Sequence, residues 1–203
     1  MTATGTSAQA ELSDEETRRN QILDAAMECF VQLGIARTSV QDVARMAGLS
    51  RGTVYRYFDD RQVLIEAAIE HGAQQYYRDA ADAMNKKATL AEQVGAMAEV
   101  VARTQLEHRT RNRLMADDAE LMRHMIAGSD ATVRRTTTFL LPYVEAAKKR
   151  REVASNLDAL AASEWLARAI NSLSTVQTSP TFDVSKPKAV GRFVERFAVA
   201  GLR

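Results

Sequence analysis

The sequence is poor in cysteine, proline and glycine, and each shortage narrows the range of folds. A single cysteine in 203 residues excludes an internal disulfide. Three prolines and nine glycines leave long stretches without a helix breaker. No segment approaches the roughly 18 consecutive apolar residues of a membrane-spanning helix. These shortages favour a folded helical protein that has no disulfide framework and no membrane span.

Targeting signals are also absent from the pattern of the first residues. They contain no cationic segment followed by an apolar run, so we expect no secretory signal and a cytoplasmic location. The cysteine, Cys29, lies among apolar neighbours in the segment Ala25–Val31. We therefore interpret it as a core residue and not as a redox group.

The charge balance is close to neutral over the whole chain but uneven along it. A net charge of +1 argues against a nucleic-acid-binding protein. Between residues 17 and 62, however, seven arginines stand against five carboxylates, and the first lysine of the chain is Lys86. Arginine suits both phosphates and guanine edges. This bias fits DNA binding, although genomic base composition can produce the same bias.

Catalytic signatures are missing: the sequence has no nucleophile elbow, no Gly-rich phosphate loop and no zinc-ligand spacing. The best constellation is Asp117, Glu120 and His124, whose spacing places them on one helical face. These side chains suit a divalent metal, but with Arg113 and Arg123 they equally make ordinary helix ion pairs. We expect no enzyme and no cofactor, and a scaffold or adaptor protein stays the alternative from another class.

Apolar residues recur at spacings of three and four almost throughout, which predicts an all-α fold of about nine helices. The residues before Ser13 are expected to form a loose tail over 1–12, with a first helix capped by Ser13 and Glu16. Short helices then begin after Ser39 and Ser50, and a longer helix that begins after Asp59 or Asp60 is expected to run on past Ala80. Later helices are expected at about 90–107, 112–127, 130–150, 157–178 and 187–202.

The two short helices that follow Ser39 and Ser50 form a helix-turn-helix, in which a tight turn at Gly48 lets the second helix project into a major groove. Val54 and Phe58 are expected to point inward. Segment 38–58, TSVQDVARMAGLSRGTVYRYF, resembles the signature of the tetracycline-repressor (TetR) family. The resemblance extends from about Thr17 to Leu64; beyond it, only the helical plan and the length are similar.

This resemblance implies an N-terminal DNA-binding domain over 13–62 and a helical ligand-binding and dimerisation domain over 63–203. Hydroxyls and helix-start amides at Thr38 and Ser39 would contact a phosphate. The arginines of the second helix would reach guanine or phosphate, and Arg61 stands where the family usually has a phosphate-binding lysine. The full set of expected DNA contacts is Thr38, Ser39, Arg51, Gly52, Thr53, Tyr55, Arg56, Tyr57 and Arg61.

The resemblance also implies a homodimer that binds a near-palindromic double-stranded operator through its two recognition helices. Apolar stripes on the last two predicted helices support the dimer, although the same stripes also suit a subunit's own core. The expected dimer residues are Leu157, Leu160, Trp165, Ile170, Leu173, Val190, Phe193, Val194 and Phe197.

A small-molecule effector, apolar or amphipathic, is expected to bind among the middle helices and to release the DNA. Flexible thioethers and aromatic rings suit such a cavity. The expected lining residues are Met97, Met115, Met122, Met125, Phe139, Tyr143 and Trp165. The sequence thus predicts a ligand-released repressor, and it names neither the operator nor the effector.

Overall fold

The computed structural model describes the backbone of residues 4–111, 129–176 and 178–202, and side chains within 14–107, 130–176 and 178–202. Over this part of the chain the fold is all-α, as predicted. It contains eight α-helices and a short 3-10 turn, Ala200–Leu202. The α-helices are α1 (Thr4–Leu33), α2 (Val40–Met46), α3 (Arg51–Tyr57), α4 (Arg61–Met84), α5 (Leu90–Arg111), α6 (Ser129–Lys149), α7 (Ala159–Thr175) and α8 (Pro187–Phe197).

Helix α1 begins at Thr4, so the prediction of a loose tail over 1–12 and a cap at Ser13 is wrong. Ser13 lies inside the helix. No glycine or proline occurs between Thr6 and Leu33, and the segment AQAEL before Ser13 consists of strong helix formers. The high helix propensity of these residues therefore explains why the helix extends past the predicted cap at Ser13. The C-terminal end is as expected, because Gly34 adopts a left-handed φ of 85°.

The chain divides into two compact units, and the division falls after Gln75. This position differs from the boundary predicted after residue 62, because α4 is one continuous helix and no loop marks a change of unit. The described residues of the first unit are 4–75 and 111, and those of the second are 76–110, 129–176 and 178–202.

The first unit packs α1 to α3 and the first half of α4 around one small core. Ile22 and Leu23 of α1 are buried together with Val43 of α2 and Val54 of α3. Cys29 lies in the same core, and burial raises the pKa of its thiol above the ordinary value. Its position agrees with the packing role predicted for it.

The second unit surrounds α5, which is buried on nearly every side from Gln93 to Val101. Met97 of α5, Leu140 of α6 and Leu166 of α7 are fully buried in its core. Three hydrogen bonds fix the start of α5: the Leu90 amide donates to Glu152 Oε2 at 2.6 Å, and Thr89 and Glu92 form the two reciprocal bonds of a capping box. No helix among the described residues is long and apolar enough to cross a membrane.

Candidate nucleic-acid interface

The turn between α2 and α3 is set by local hydrogen bonds that the sequence predicts. Ser39 caps α2 in a reciprocal capping box with Asp42. Gly48 adopts a left-handed φ of 66°, and the Leu49 amide closes the helix end by donating to the Ala44 carbonyl at 2.8 Å. Ser50 then caps α3 by accepting from the Thr53 amide at 3.0 Å. The chain therefore leaves α2 and enters α3 through a short turn that these hydrogen bonds close.

Helix α3 presents one polar face and one apolar face. Val54 within it and Phe58 at its end are buried, as predicted. Arg51, Tyr55 and Arg56 are exposed on the other side. The structure thus gives this short helix an outward surface made of arginine and tyrosine.

Each arginine of α3 is held against an aromatic ring. The Arg51 guanidinium donates to the Tyr55 hydroxyl at 3.1 Å and lies 5.2 Å from the centre of that ring. Arg56 lies 5.4 Å from the centre of the half-buried Tyr57 ring. Such contacts limit the side-chain freedom of arginine before any ligand arrives. The charges of this face are therefore partly preorganised.

Two smaller residues of α3 complete its surface. Gly52 is exposed, and a Cβ built there would meet only Ser50 Oγ, at 3.8 Å. The half-buried Thr53 hydroxyl lies 2.8 Å from the Ser50 hydroxyl. Gly52 is thus not required by packing within the chain, whereas Thr53 is engaged in the cap.

Thr38 and Ser39, the expected phosphate contacts, differ in position. Thr38 is buried, and its hydroxyl donates to the Gly34 carbonyl at 2.7 Å. The prediction of a phosphate contact by the Thr38 hydroxyl is therefore wrong in this structure, because the side chain closes the loop before α2. Ser39 is exposed. The hydroxyl and the backbone amide of Ser39 donate hydrogen bonds to the Asp42 carboxylate, and these bonds are the main reason that the pKa of Asp42 lies below its ordinary value.

Arg61, the third expected phosphate contact, points its donors inward. Its guanidinium donates to the backbone carbonyls of Ile35, Ala36 and Thr38. The sequence does not reveal this arrangement, because the bonded residues are more than twenty positions apart along the chain. On α1, Arg18 is exposed, and the Arg19 guanidinium lies 5.3 Å from the centre of the Phe58 ring.

The residues predicted for the dimer divide between the core and the surface of the second unit. Ile170, Val190 and Val194 are buried, so their assignment to a dimer contact is wrong and they serve the subunit's own core. Leu157 and Leu173 are partly buried and pack against that core. The remaining members are exposed large hydrophobic residues, namely Leu160 and Trp165 on α7 and Phe193 and Phe197 on α8.

Among the described residues predicted to line a ligand cavity, Phe139 and Tyr143 are in contact and pack against the core that contains Met97, whereas Trp165 is not part of this group. Met97 is fully buried in the core, whereas Trp165 is 55% exposed. Phe139 and Tyr143 belong to a row of rings that also contains Tyr76 and Tyr77. Met115, Met122 and Met125 lie outside the described residues, as do Asp117, Glu120 and His124.

The second unit contains a small recess that the sequence does not predict. It has a volume of about 20 Å³, which is room for roughly one water molecule. Its lining residues come from α5, the end of α7, the segment that leads into α8 and α8 itself, and they are Ala102, Gln105, Leu173, Val176, Phe182, Val184 and Val190. No spacing in the sequence connects these segments.

The comparison with known families matches the first unit. Residues 22–68 match the model of the bacterial regulatory proteins of the tetR family, and this range contains α2, α3 and the exposed arginine and tyrosine face. Residues 22–68 are similar to the domain that this tetR-family model describes. The TetR resemblance predicted from segment 38–58 is therefore confirmed.

The matches to individual relatives are likewise confined to a short part of the chain. The chain is 41% identical over 54 residues to the HTH-type transcriptional regulator BetI of Ectopseudomonas mendocina, covering 27% of this chain and 28% of BetI. It is 39% identical over 56 residues to the regulator TtgR of Pseudomonas putida, covering 28% of this chain and 26% of TtgR. The match thus spans less than a third of the length of these curated relatives.

The similarity in fold extends further than the similarity in sequence. The transcriptional regulator FadR of Bacillus subtilis, solved in complex with stearoyl-CoA, aligns with a TM-score of 0.61 over 90% of this chain and 98% of FadR. The identity is 20%, so this likeness concerns the fold alone. The helical fold of this chain is therefore similar to that of FadR well beyond the residues that match in sequence.

Proposed function

We propose that this chain is a transcriptional regulator that binds a near-palindromic DNA operator as a homodimer and represses transcription until a small molecule releases it. The observation that carries the proposal is the outward face of α3, where Arg51 and Tyr55 are exposed and bonded to each other. Arginine can bind the O6 and N7 edge of guanine in the major groove with two hydrogen bonds. Such a regulator acts on the genome, so we expect it in the cytoplasm.

Within this proposal the DNA contacts are the exposed residues of the first unit. Arg51, Tyr55 and Arg56 are candidates for base or phosphate contacts, and Gly52 allows the backbone to approach closely. Tyr57 supports Arg56 by stacking. Ser39 stays a candidate phosphate contact through its exposed hydroxyl.

The proposed dimer surface consists of the four exposed apolar residues Leu160, Trp165, Phe193 and Phe197. Large exposed hydrophobic side chains that are grouped on two neighbouring segments are typical of protein interfaces. The Trp165 indole donates to the Ala198 carbonyl at 3.2 Å, which links the two segments within one subunit. A dimer with one recognition helix per subunit would bind half-sites about 34 to 36 Å apart.

The proposed effector is apolar or amphipathic, because the row of aromatic rings in the second unit offers large hydrophobic surfaces. One polar group stands beside this row: the Tyr77 hydroxyl lies 2.8 Å from the Thr136 hydroxyl. An effector releases DNA only if it binds one conformation of the regulator more tightly than the other.

The test of this proposal is selection of bound fragments from a random pool of duplexes by the purified protein at moderate salt. The expected result is enrichment of a near-palindrome whose half-site centres are about one helical turn apart. R168A is a matched control, because Arg168 is an exposed arginine of the second unit that pairs with Glu164. It should enrich the same sequence, whereas absence of enrichment with the wild-type protein would contradict the proposed function.

A further inference from the structure

Arg61 is the first residue of α4, and its guanidinium is bound by the loop between α1 and α2. Its Nε donates to the Thr38 carbonyl at 2.8 Å. One terminal nitrogen donates to the Ala36 carbonyl at 3.2 Å and also to the Ile35 carbonyl. Three of the five guanidinium donors are therefore used by backbone carbonyls.

The loop that Arg61 holds determines where α2 begins. Gly34 has a left-handed φ of 85°, and its carbonyl accepts from both the Thr38 amide and the Thr38 hydroxyl. Ser39, the cap of α2, follows directly. The bonds from Arg61 therefore join the first turn of α4 to the residues that orient α2 and, through the bonded turn at Gly48, α3.

This geometry disfavours a phosphate contact by Arg61. The guanidinium edge formed by Nε and the neighbouring terminal nitrogen is the one that often binds a phosphate side-on, and here it faces carbonyl oxygens. The side chain is half-buried, in contrast to the exposed Arg51 and Arg56. The planar guanidinium donates to three carbonyls at once, which a lysine ammonium cannot do in the same geometry. This explains why arginine suits position 61.

We propose that Arg61 is a positioning residue for DNA recognition, which holds the α2–α3 pair at a fixed angle to α4, and that it is not a phosphate ligand. The inference rests on the proposed DNA-binding function. If it is correct, loss of Arg61 misplaces α3 and weakens binding to the correct sequence. Binding to unrelated DNA, which depends mainly on phosphate contacts, should be preserved.

Two measurable properties separate positioning from phosphate binding. Loss of a phosphate contact lowers the affinity about equally for every sequence. It also reduces the salt dependence, measured as the slope of the logarithm of the binding constant against the logarithm of the salt concentration, by about one per half-site. Loss of positioning lowers the ratio of specific to non-specific affinity and leaves the salt dependence unchanged. A purely structural defect lowers only the fraction of protein that is able to bind.

The experiment uses the full chain, the duplex that the wild-type protein selects and a scrambled duplex of equal length. R61Q removes the fork, and R61K keeps the charge without the fork. R37Q is the matched control: Arg37 belongs to the same loop but bonds to the Leu33 carbonyl one turn earlier. Stoichiometric titration gives the active fraction of each variant, and anisotropy titrations at several salt concentrations give its affinity and salt dependence.

We expect R61Q to bind the selected duplex about tenfold more weakly after correction for the active fraction. Its affinity for the scrambled duplex and its salt dependence should equal those of R37Q, and R61K should lose part of the same specificity. Equal losses on both duplexes, with a reduced salt dependence that R61K restores, would overturn the inference. A loss explained by the active fraction alone would also overturn it. If the wild-type protein does not distinguish the two duplexes, the proposed function itself fails, and the positioning role fails with it.

Discussion

Gly95 of α5 and Gly191 of α8 face each other at a helix crossing that leaves no room for a side chain. A Cβ built on Gly191 would lie 2.9 Å from the Gly95 carbonyl oxygen, and one built on Gly95 would lie 3.0 Å from the Gly191 carbonyl oxygen. Because both neighbours are backbone atoms, neither can rotate away. This crossing fixes α8, which carries the exposed Phe193 and Phe197, against the buried helix α5.

The first prediction concerns this crossing. G191A should lower the free energy of unfolding by about 1 kcal/mol or more, since the overlap with backbone exceeds the gain in helix propensity. Thermal and urea unfolding followed by circular dichroism measure the effect. G201A is the matched control, because a Cβ at Gly201 would meet nothing within 4 Å. Equal stability of the two variants would show that the crossing tolerates a methyl group.

The second prediction concerns Gly52 on the outward face of α3. G52A should raise the stability of the first unit by up to about 1 kcal/mol, because alanine favours the helix and the added methyl group meets no close neighbour. The same change should weaken DNA binding if the backbone of α3 approaches the duplex at this point. Melting curves and anisotropy titrations on one preparation measure both effects. Unchanged affinity would exclude close approach at Gly52.

The third prediction concerns the proposed dimer surface. F197E places a charge on a side chain that is 54% exposed and should convert the dimer to a monomer, because desolvating a carboxylate at an interface is costly. Sedimentation velocity measures the change in mass. V63E is the matched control, since Val63 is an exposed apolar residue of the first unit, 42% exposed, outside the proposed surface. A dimer that survives F197E would remove α8 from the interface.

The fourth prediction concerns the acid stability of the α2 cap. Hydrogen bonds from Ser39 hold the pKa of Asp42 below its ordinary value of 3.8. A depressed carboxyl pKa stabilises the folded state above that ordinary value, and this contribution is lost as the pH falls through the folded pKa. Wild type should therefore be more stable than D42N at pH 6, and the difference should shrink towards pH 3. A difference that is independent of pH would contradict the role of the carboxylate.

Local chemistry made the recognition motif predictable from the sequence. The cap at Ser39, the left-handed Gly48, the cap at Ser50 and the inward positions of Val54 and Phe58 all depend on residues fewer than ten positions apart, and all appear in the structure. The start of α1 was mispredicted for a related reason. The cap signal at Ser13 is local, but the residues before it are strong helix formers. The helix therefore begins earlier, at Thr4.

Long-range packing accounts for what the sequence did not predict. The inward orientation of Arg61 depends on carbonyls of a distant loop. On α7 and α8 the stripes expected at the dimer contain both core and surface positions, because apolar residues occupy more than one face. Ile170 is buried while Trp165, five positions earlier on the same helix, is exposed. Periodicity identifies an apolar helix, but it does not decide which neighbour covers each face.

Recognition of DNA sequence by the outward face of α3 is tested by the affinities of R51A and Y55A for the selected and scrambled duplexes. Both variants should remain folded and should bind the selected duplex only as weakly as the scrambled one, because phosphate contacts persist while base contacts are lost. R168A should behave as wild type. Wild-type discrimination in R51A and Y55A would contradict the account and would place sequence recognition elsewhere in the protein.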